Sequence, residues 1–387
     1  MSTRSTGRRL AAATATSVAV LGVTALGAAL PATATAVDAD DDYEILVVGE
    51  TLGFRHSHID EVTHALIGLG QDNGFTVDVW DPPNTSAGWW GPGSPGQPDL
   101  TLPSTPFTSA EALGQYDSIV FVSPVDNTNS LNPATPRLLD DAEVAALQGY
   151  VHAGGGVVGL HAATDSMHTN AWYTQLVGGG ARFSGHPQQQ YATMRVESPA
   201  HPSMEGVPLE WERWDEWYNY TLNPRDNVHV LMTLDESTYT GGTMGEDHPI
   251  AWCQNFEGGR SWYQGAGHVE ASWTDPVFLT SVLRGVEWTA GKVEGGGNCV
   301  TWSEVDALVD ELADGNARDR AAAKILDKKL DQAQQLADAD KPLKAVVVLR
   351  TTAVLADALV RGDAGDVLQD KVEDIADWQK GLAEAGL

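Results

Sequence analysis

Short unbroken apolar runs alternate with segments of helical period through most of this chain, and the last stretch keeps helical period alone. Ile45-Leu46-Val47-Val48, closed by Gly49, is too short for a helix and reads as a buried strand followed by a loop. Ile59, Val62, Leu66 and Leu69 recur at helical spacing and predict a helix, with Ser57 as its N-cap. Phe75–Trp80 predicts a second strand and Ser118–Ser123 a third. Asp140–His152 predicts a helix, closed by Gly154-Gly155-Gly156, which opens a strand through Val157-Val158-Gly159-Leu160. Strands alternating with helices predict an α/β fold with a mainly parallel, helix-flanked sheet. Further on the pattern turns strand-rich, at Val228–Leu234, Ile250–Phe256 and Ser261–Gly265, before a closing helix from Asp275 to Thr289.

From Asp81 to Pro106 the chain fills with Pro, Gly, Ser and Trp and reads as a long surface loop. Residues 293–299, centred on Glu294-Gly295-Gly296-Gly297-Asn298, read as a flexible linker. Behind it, in 300–387, apolar faces recur at helical spacing. One holds Val305, Leu308, Val309 and Leu312. The next holds Ile325, Leu326, Leu330, Ala333 and Leu336; Val346–Val360 and Leu368, Val372, Ile375 and Trp378 follow. These predict a small helical bundle. At the other end, Arg4, Arg8 and Arg9 precede an Ala/Val/Leu stretch and then Ala34-Thr35-Ala36, so residues 1–36 read as a signal peptide and the protein as secreted. The α/β domain is thereby assigned to 43–292.

A formal charge of -30 excludes the clustered cations that nucleic acid needs, and it disfavours anionic membrane surfaces. No membrane association is expected once the leader is removed. Outside the cell, Cys253 and Cys299 could form one disulfide; two free thiols are the alternative.

Candidate chemistry gathers just after the predicted strands, where open α/β sheets bind their ligands. Arg55 and His56 follow the first strand, His161 and Asp165 the fourth, and His268 and Glu270 the last. Singly, each is a common surface or core residue; together at one edge they predict a shared site. Two chemistries fit. Histidine and carboxylate pairs can move protons near neutral pH. Alternatively His56, His161, His186, His268 and Asp165 offer donors suited to a divalent metal such as zinc, with His56, His161 and His268 foremost. Trp89, Trp90 and Trp217 are candidate stacking surfaces for a ligand.

Several stretches resemble the ThuA family, a branch of the class I glutamine amidotransferase fold. They are Gly53-Phe54-Arg55-His56-Ser57, Gly154 through Asp165, Phe183-Ser184-Gly185-His186-Pro187, Asp215-Glu216-Trp217-Tyr218, His248-Pro249-Ile250-Ala251-Trp252, and Gly258 through Glu270. The resemblance spans Tyr43 to Lys292 in order. It implies a flavodoxin-like domain acting on sugars or 3-keto glycosides, by hydrolysis or elimination, with no nucleotide cofactor. The helical segment is similar to modules appended to secreted actinobacterial hydrolases.

In the amidotransferases a nucleophilic cysteine occupies a sharp turn after a central strand, paired with a His-x-Glu element. Here His161 stands at the cysteine's place and His268-Val269-Glu270 resembles the pair, so glutaminase chemistry, which needs a thiolate, is disfavoured. The implied catalytic set is His161, Asp165, Glu216, His268 and Glu270. Arg55, His56, His186, Trp217, Tyr218 and Arg260 are implied on the substrate side, Arg260 or a metal holding an enolate oxygen. A non-catalytic sugar-binding module and an interaction scaffold are the competing readings.

Overall fold

The computed structural model describes residues 43–84, 93–293 and 299–387. The leader, Trp89, Trp90 and most of the linker lie outside the described residues.

The first part of the chain runs β1 (Tyr43–Val48), α1 (Ile59–Asn73), β2 (Phe75–Trp80), α2 (Ala110–Leu113), β3 (Ser118–Val122), α3 (Asp141–His152), β4 (Gly156–Leu160) and α4 (Ala171–Gly178). Then come β5 (Phe183–Gly185), β6 (Gln190–Val196), β7 (Glu210–Asp215), β8 (Asn219–Tyr220), β9 (His229–Asp235), β10 (Pro249–Phe256), β11 (Gly259–Gln264) and α5 (Pro276–Thr289). Nine of the strands form one sheet in the order β2-β1-β3-β4-β11-β10-β9-β6-β7. From β2 to β11 neighbours pair in parallel, and from β11 to β7 they pair antiparallel. The parallel half has the flavodoxin-like order, whose carboxyl ends form the ligand edge.

The apolar runs form strands because both of their faces are covered. Every residue of β3 and β4 is buried, as continuous apolar strands of a helix-flanked parallel sheet require. Helix α3 starts with a full capping box in which the Asp140 side chain accepts from Ala142 and Glu143. Helix α1 departs from the sequence reading. It starts at Ile59, and His58, not Ser57, holds the cap position without capping it. The His58 ring is spent elsewhere, its Nε2 lying 2.7 Å from Ser123 Oγ. The stretch expected as a surface loop also folds inward in part, with Asp81, Ser94 and Gln97 buried.

Beyond the linker, α6 (Trp302–Asp314), α7 (Ala317–Ala337), α8 (Pro342–Leu359) and α9 (Asp363–Ala385) close around their own core, which includes Val305, Leu326, Leu330, Leu349, Val372 and Ile375. Ile325, assigned to that core from its spacing, is instead 43% exposed; the buried face of α7 passes through Leu326, Leu330 and Ala333. The bundle is fastened to the antiparallel half of the sheet. Cys299 forms a disulfide with Cys253 on β10. Trp378 on α9 donates its indole N–H to the Glu197 carbonyl and packs edge-on against His229, with ring centres 4.6 Å apart. Among the described residues, no helix is long and apolar enough to cross a membrane.

Candidate functional site

Three loops at the carboxyl ends of parallel strands build the site. β1 leads to His56, β4 to His161 and β11 to His268. Since β1, β3, β4 and β11 lie side by side, these ends fall within a few strand spacings of each other. The ring centres of His56 lie 5.1 Å from His161 and 5.2 Å from His268. A fourth contribution arrives from β7, whose last residue, Asp215, precedes Glu216.

His161 begins a short 3-10 turn directly after β4 with φ at +44°, in the left-handed region that side chains with a Cβ rarely adopt. The turn throws the imidazole back over the sheet edge. There His161 Nδ1 lies 2.9 Å from the Gly265 carbonyl. A carbonyl only accepts, so Nδ1 carries a proton, and Nε2 is turned toward the other side chains of the cluster. That Nε2 lies 3.1 Å from His268 Nδ1 and 3.4 Å from Glu216 Oε2. His268 Nδ1 is in turn 3.1 Å from Glu216 Oε2.

Asp215 fixes this meeting from below. It is fully buried, and its carboxylate accepts from the backbone N–H of Gly267 at 2.8 Å and of His268 at 3.0 Å. Gly267 has φ at +105°, so the turn that delivers His268 depends on a residue without a Cβ. Burial alone would raise the Glu216 carboxyl. Hydrogen bonds and charge from His161 and His268 outweigh it and hold that group below the usual carboxylate range. Burial pushes His56 and His58 well below the ordinary imidazole value, and neighbouring His161 adds to the effect.

A pocket of about 400 Å³ opens over this centre. Phe54, Phe183 and Tyr218 give it apolar walls; His56, Asp165, His186, Glu216 and His268 supply its polar groups. His186 is partly exposed, and its Nδ1 lies 2.9 Å from the Pro187 carbonyl and 3.2 Å from Glu216 Oε1. Both partners are acceptors, so the proton sits on Nδ1 and Nε2 is left free. Asp165 is raised by burial, an effect that His168, at 3.2 Å, opposes.

Other residues assigned from the sequence stand elsewhere. Glu270 is exposed at the start of the turn after His268, and Glu216 occupies the carboxylate position expected of it. Arg260 sits near the amino end of β11, at the opposite edge of the sheet, where it donates to the Trp288 carbonyl. It cannot hold an oxyanion in the pocket. Trp217 is wholly buried, with its indole N–H donated to the Gln190 carbonyl, and offers no face to a ligand. Arg55 spends its guanidinium on Asp81, Asp60 and Ser94, which secures the loop carrying His56. Trp89 and Trp90 lie outside the described residues. Sequence reasoning passed over His58, His168 and Asp215. Asp215 had a signal, since it opens the Asp215-Glu216-Trp217-Tyr218 motif.

Fold and site together define an α/β protein of flavodoxin-like order, with an imidazole on the turn after its central strand and a histidine–carboxylate pocket at the ligand edge. The chain belongs to the ThuA (trehalose utilisation) family, whose profile matches residues 44–289. Among solved structures, a ThuA-like protein from Bacteroides uniformis is 21% identical, with a TM-score of 0.50, covering 66% of this chain and 94% of that one. Another ThuA-like protein, from Parabacteroides merdae, is 18% identical with a TM-score of 0.47, covering 65% of this chain and 92% of its own. No curated protein sequence matches the chain.

Proposed function

We propose that this protein is a secreted carbohydrate-active enzyme, a hydrolase or lyase acting on sugars presented as 3-keto glycosides. The observation that carries the reading is the convergence of His161 Nε2, His268 Nδ1 and Glu216 Oε2 within 3.1–3.4 Å, with His268 and Glu216 lining the pocket and His161 buried behind them. Family membership supports a carbohydrate substrate, and the leader read at residues 1–36 supports export. The pocket volume is of the size that small-molecule ligands occupy. Phe54 and Phe183 offer ring faces to the apolar side of a sugar.

A ketone at C3 of a glycoside acidifies the proton on C2. A base removes that proton, the electron pair forms an enolate, and the C1 substituent then leaves with the C1–O electrons and a proton from an acid. Water added across the resulting double bond completes net hydrolysis. His186 suits the base, because its Nδ1–H is anchored to Glu216 and Pro187 and its Nε2 is free. Asp165 suits the acid, because burial favours its protonated form. Glu216, held ionised, orients the histidines around it. Both cysteines are tied in a disulfide, so this reading assigns neither a nucleophilic role. Incubation with plain and 3-keto disaccharides, following released monosaccharide, tests the proposal; no release from either would overturn it.

A further inference from the structure

His161 turns one ring nitrogen toward both a carboxylate and a second imidazole. Its Nδ1–H is committed to the Gly265 carbonyl, so its Nε2 is left facing a Glu216 carboxylate oxygen 3.4 Å away. A proton or a metal ion can hold a ring nitrogen and a carboxylate oxygen at that separation. His268 Nδ1 can share one proton with this pair, and it stands 3.1 Å from each. A fourth group then remains without a role. His56 is 5% exposed, its Nδ1 is buried with no hydrogen-bond partner, and it brings a ligand atom within 4.8 Å of those of His161, Glu216 and His268.

We infer that His56, His161, Glu216 and His268 form a binding centre for a divalent transition-metal ion of the zinc class. The spacing agrees with the coordination such an ion requires. Tetrahedral bonds of about 2.0–2.1 Å place neighbouring donors roughly 3.3–3.4 Å apart. The three donor-to-donor edges of His161, His268 and Glu216 are 3.1, 3.1 and 3.4 Å. Three imidazoles and one carboxylate favour a borderline ion over calcium or magnesium, which prefer oxygen donors. The surroundings are those of a metal site too. The Gly265 carbonyl fixes the tautomer of His161 with Nε2 free to ligate, as the outer partners of metal-bound histidines do. Asp215 holds the backbone of His268 and of Glu216, anchoring two ligands through one buried carboxylate.

The inference rests on the catalytic reading only for its consequence. An ion here would lie at the floor of the sugar pocket and polarise the ketone and enolate oxygen, the task that Arg260 is placed too far away to perform. His186 and Asp165 stay outside the donor set and keep their proton-transfer roles. The other grouping of metal-type donors, His201 with Cys253 and Cys299, has both sulfurs tied in the disulfide, so the measurement belongs under non-reducing conditions.

The test is calorimetric titration of chelator-treated, dialysed full-length protein with zinc chloride. Titration with cobalt chloride, whose visible absorption reports coordination number, runs in parallel. One ion per chain is expected, with affinity reduced at least tenfold in each of His161→Ala, His268→Ala and Glu216→Gln, and circular dichroism unchanged. Cobalt should give the intense absorption of a four- or five-coordinate nitrogen/oxygen site, lost in the same variants. Failure to bind either ion, or binding unaffected in all three folded variants, would overturn the assignment. Glu216→Gln keeps the side-chain volume and guards against a variant lost to misfolding. The outcomes also separate the two proposals. Sugar turnover by a protein that binds neither ion sinks the metal and leaves the acid–base enzyme. Metal binding without turnover of any 3-keto sugar does the reverse.

Discussion

His161 Nε2 and His268 Nδ1 lie 3.1 Å apart although 107 positions separate them in the chain. Each ring is also held independently, His161 by the Gly265 carbonyl and His268 through its backbone by Asp215. The contact is thus set by the two strand ends rather than by a flexible meeting of side chains. His161→Ala and His268→Ala should each lower turnover on the order of a hundred-fold, by misplacing Glu216 and the base His186 that it anchors. Their unfolding midpoints should stay near that of the parent. Steady-state rates beside denaturant curves check this; a folded double variant with ordinary turnover would remove the site from catalysis.

Trp217 should behave as a core residue and not as a sugar platform. It is fully buried and its N–H is satisfied by Gln190. Trp217→Ala should cost about 3–5 kcal/mol of stability, the range for emptying a large aromatic site. Urea denaturation measures the loss. A variant of unchanged stability that had lost only sugar affinity would contradict the packing described.

The Cys253–Cys299 disulfide closes a loop with a sequence separation of 46 and ties the bundle to β10. Loop-closure entropy for that length is worth about 4 kcal/mol. Replacing both cysteines by serine should lower the unfolding free energy by up to that amount and leave the histidine cluster intact. Protease should cut the linker sooner in the variant. Equal stability of the two proteins would mean that the bundle is held by its packing alone.

Acid should weaken the same junction. His229 is fully enclosed beside Trp378 and Val300, and burial lowers it to about 4. In the unfolded chain the ring takes up a proton near pH 6.5. Between those values the unfolded state binds more protons, so stability is full above about pH 6.5 and is lost as pH falls toward 4. The loss is on the order of 3 kcal/mol for this ring. His201, lowered to about 3 by burial, adds to it over the same span. Denaturant midpoints at several pH values should fall more steeply for the parent than for His229→Gln; parallel curves would refute the assignment.

The parallel half of the fold was legible because its strands are buried on both faces and appear as plain apolar runs, as in Ile45 through Val48. β6 and β7 were missed for the opposite reason. β6 buries only Ala192, Met194 and Val196 in alternation, and β7 reads Glu210-Trp211-Glu212-Arg213-Trp214-Asp215, with charge along its length. The histidines were found because each follows a strand end. Choosing between Glu216 and Glu270 was not possible on that basis. Glu270 is close to His268 in sequence, whereas Glu216 reaches the site only through the path of the chain beyond β7. Arg260 failed likewise, being near in sequence but at the other end of its strand. His58 was taken for part of a helix start, and nothing local reveals that its ring turns inward to Ser123.

The central claim is that this pocket removes the C2 proton of a 3-keto sugar. Proton NMR of a 3-keto disaccharide in deuterium oxide, with the full-length protein, measures that step alone. The account predicts loss of the C2 proton signal, together with or ahead of release of the C1 substituent. The same signal should decay on the order of a hundred-fold more slowly or worse with His186→Ala or His268→Ala. A C2 signal that persists in the presence of the parent protein, or one that decays equally fast with both variants, would contradict it.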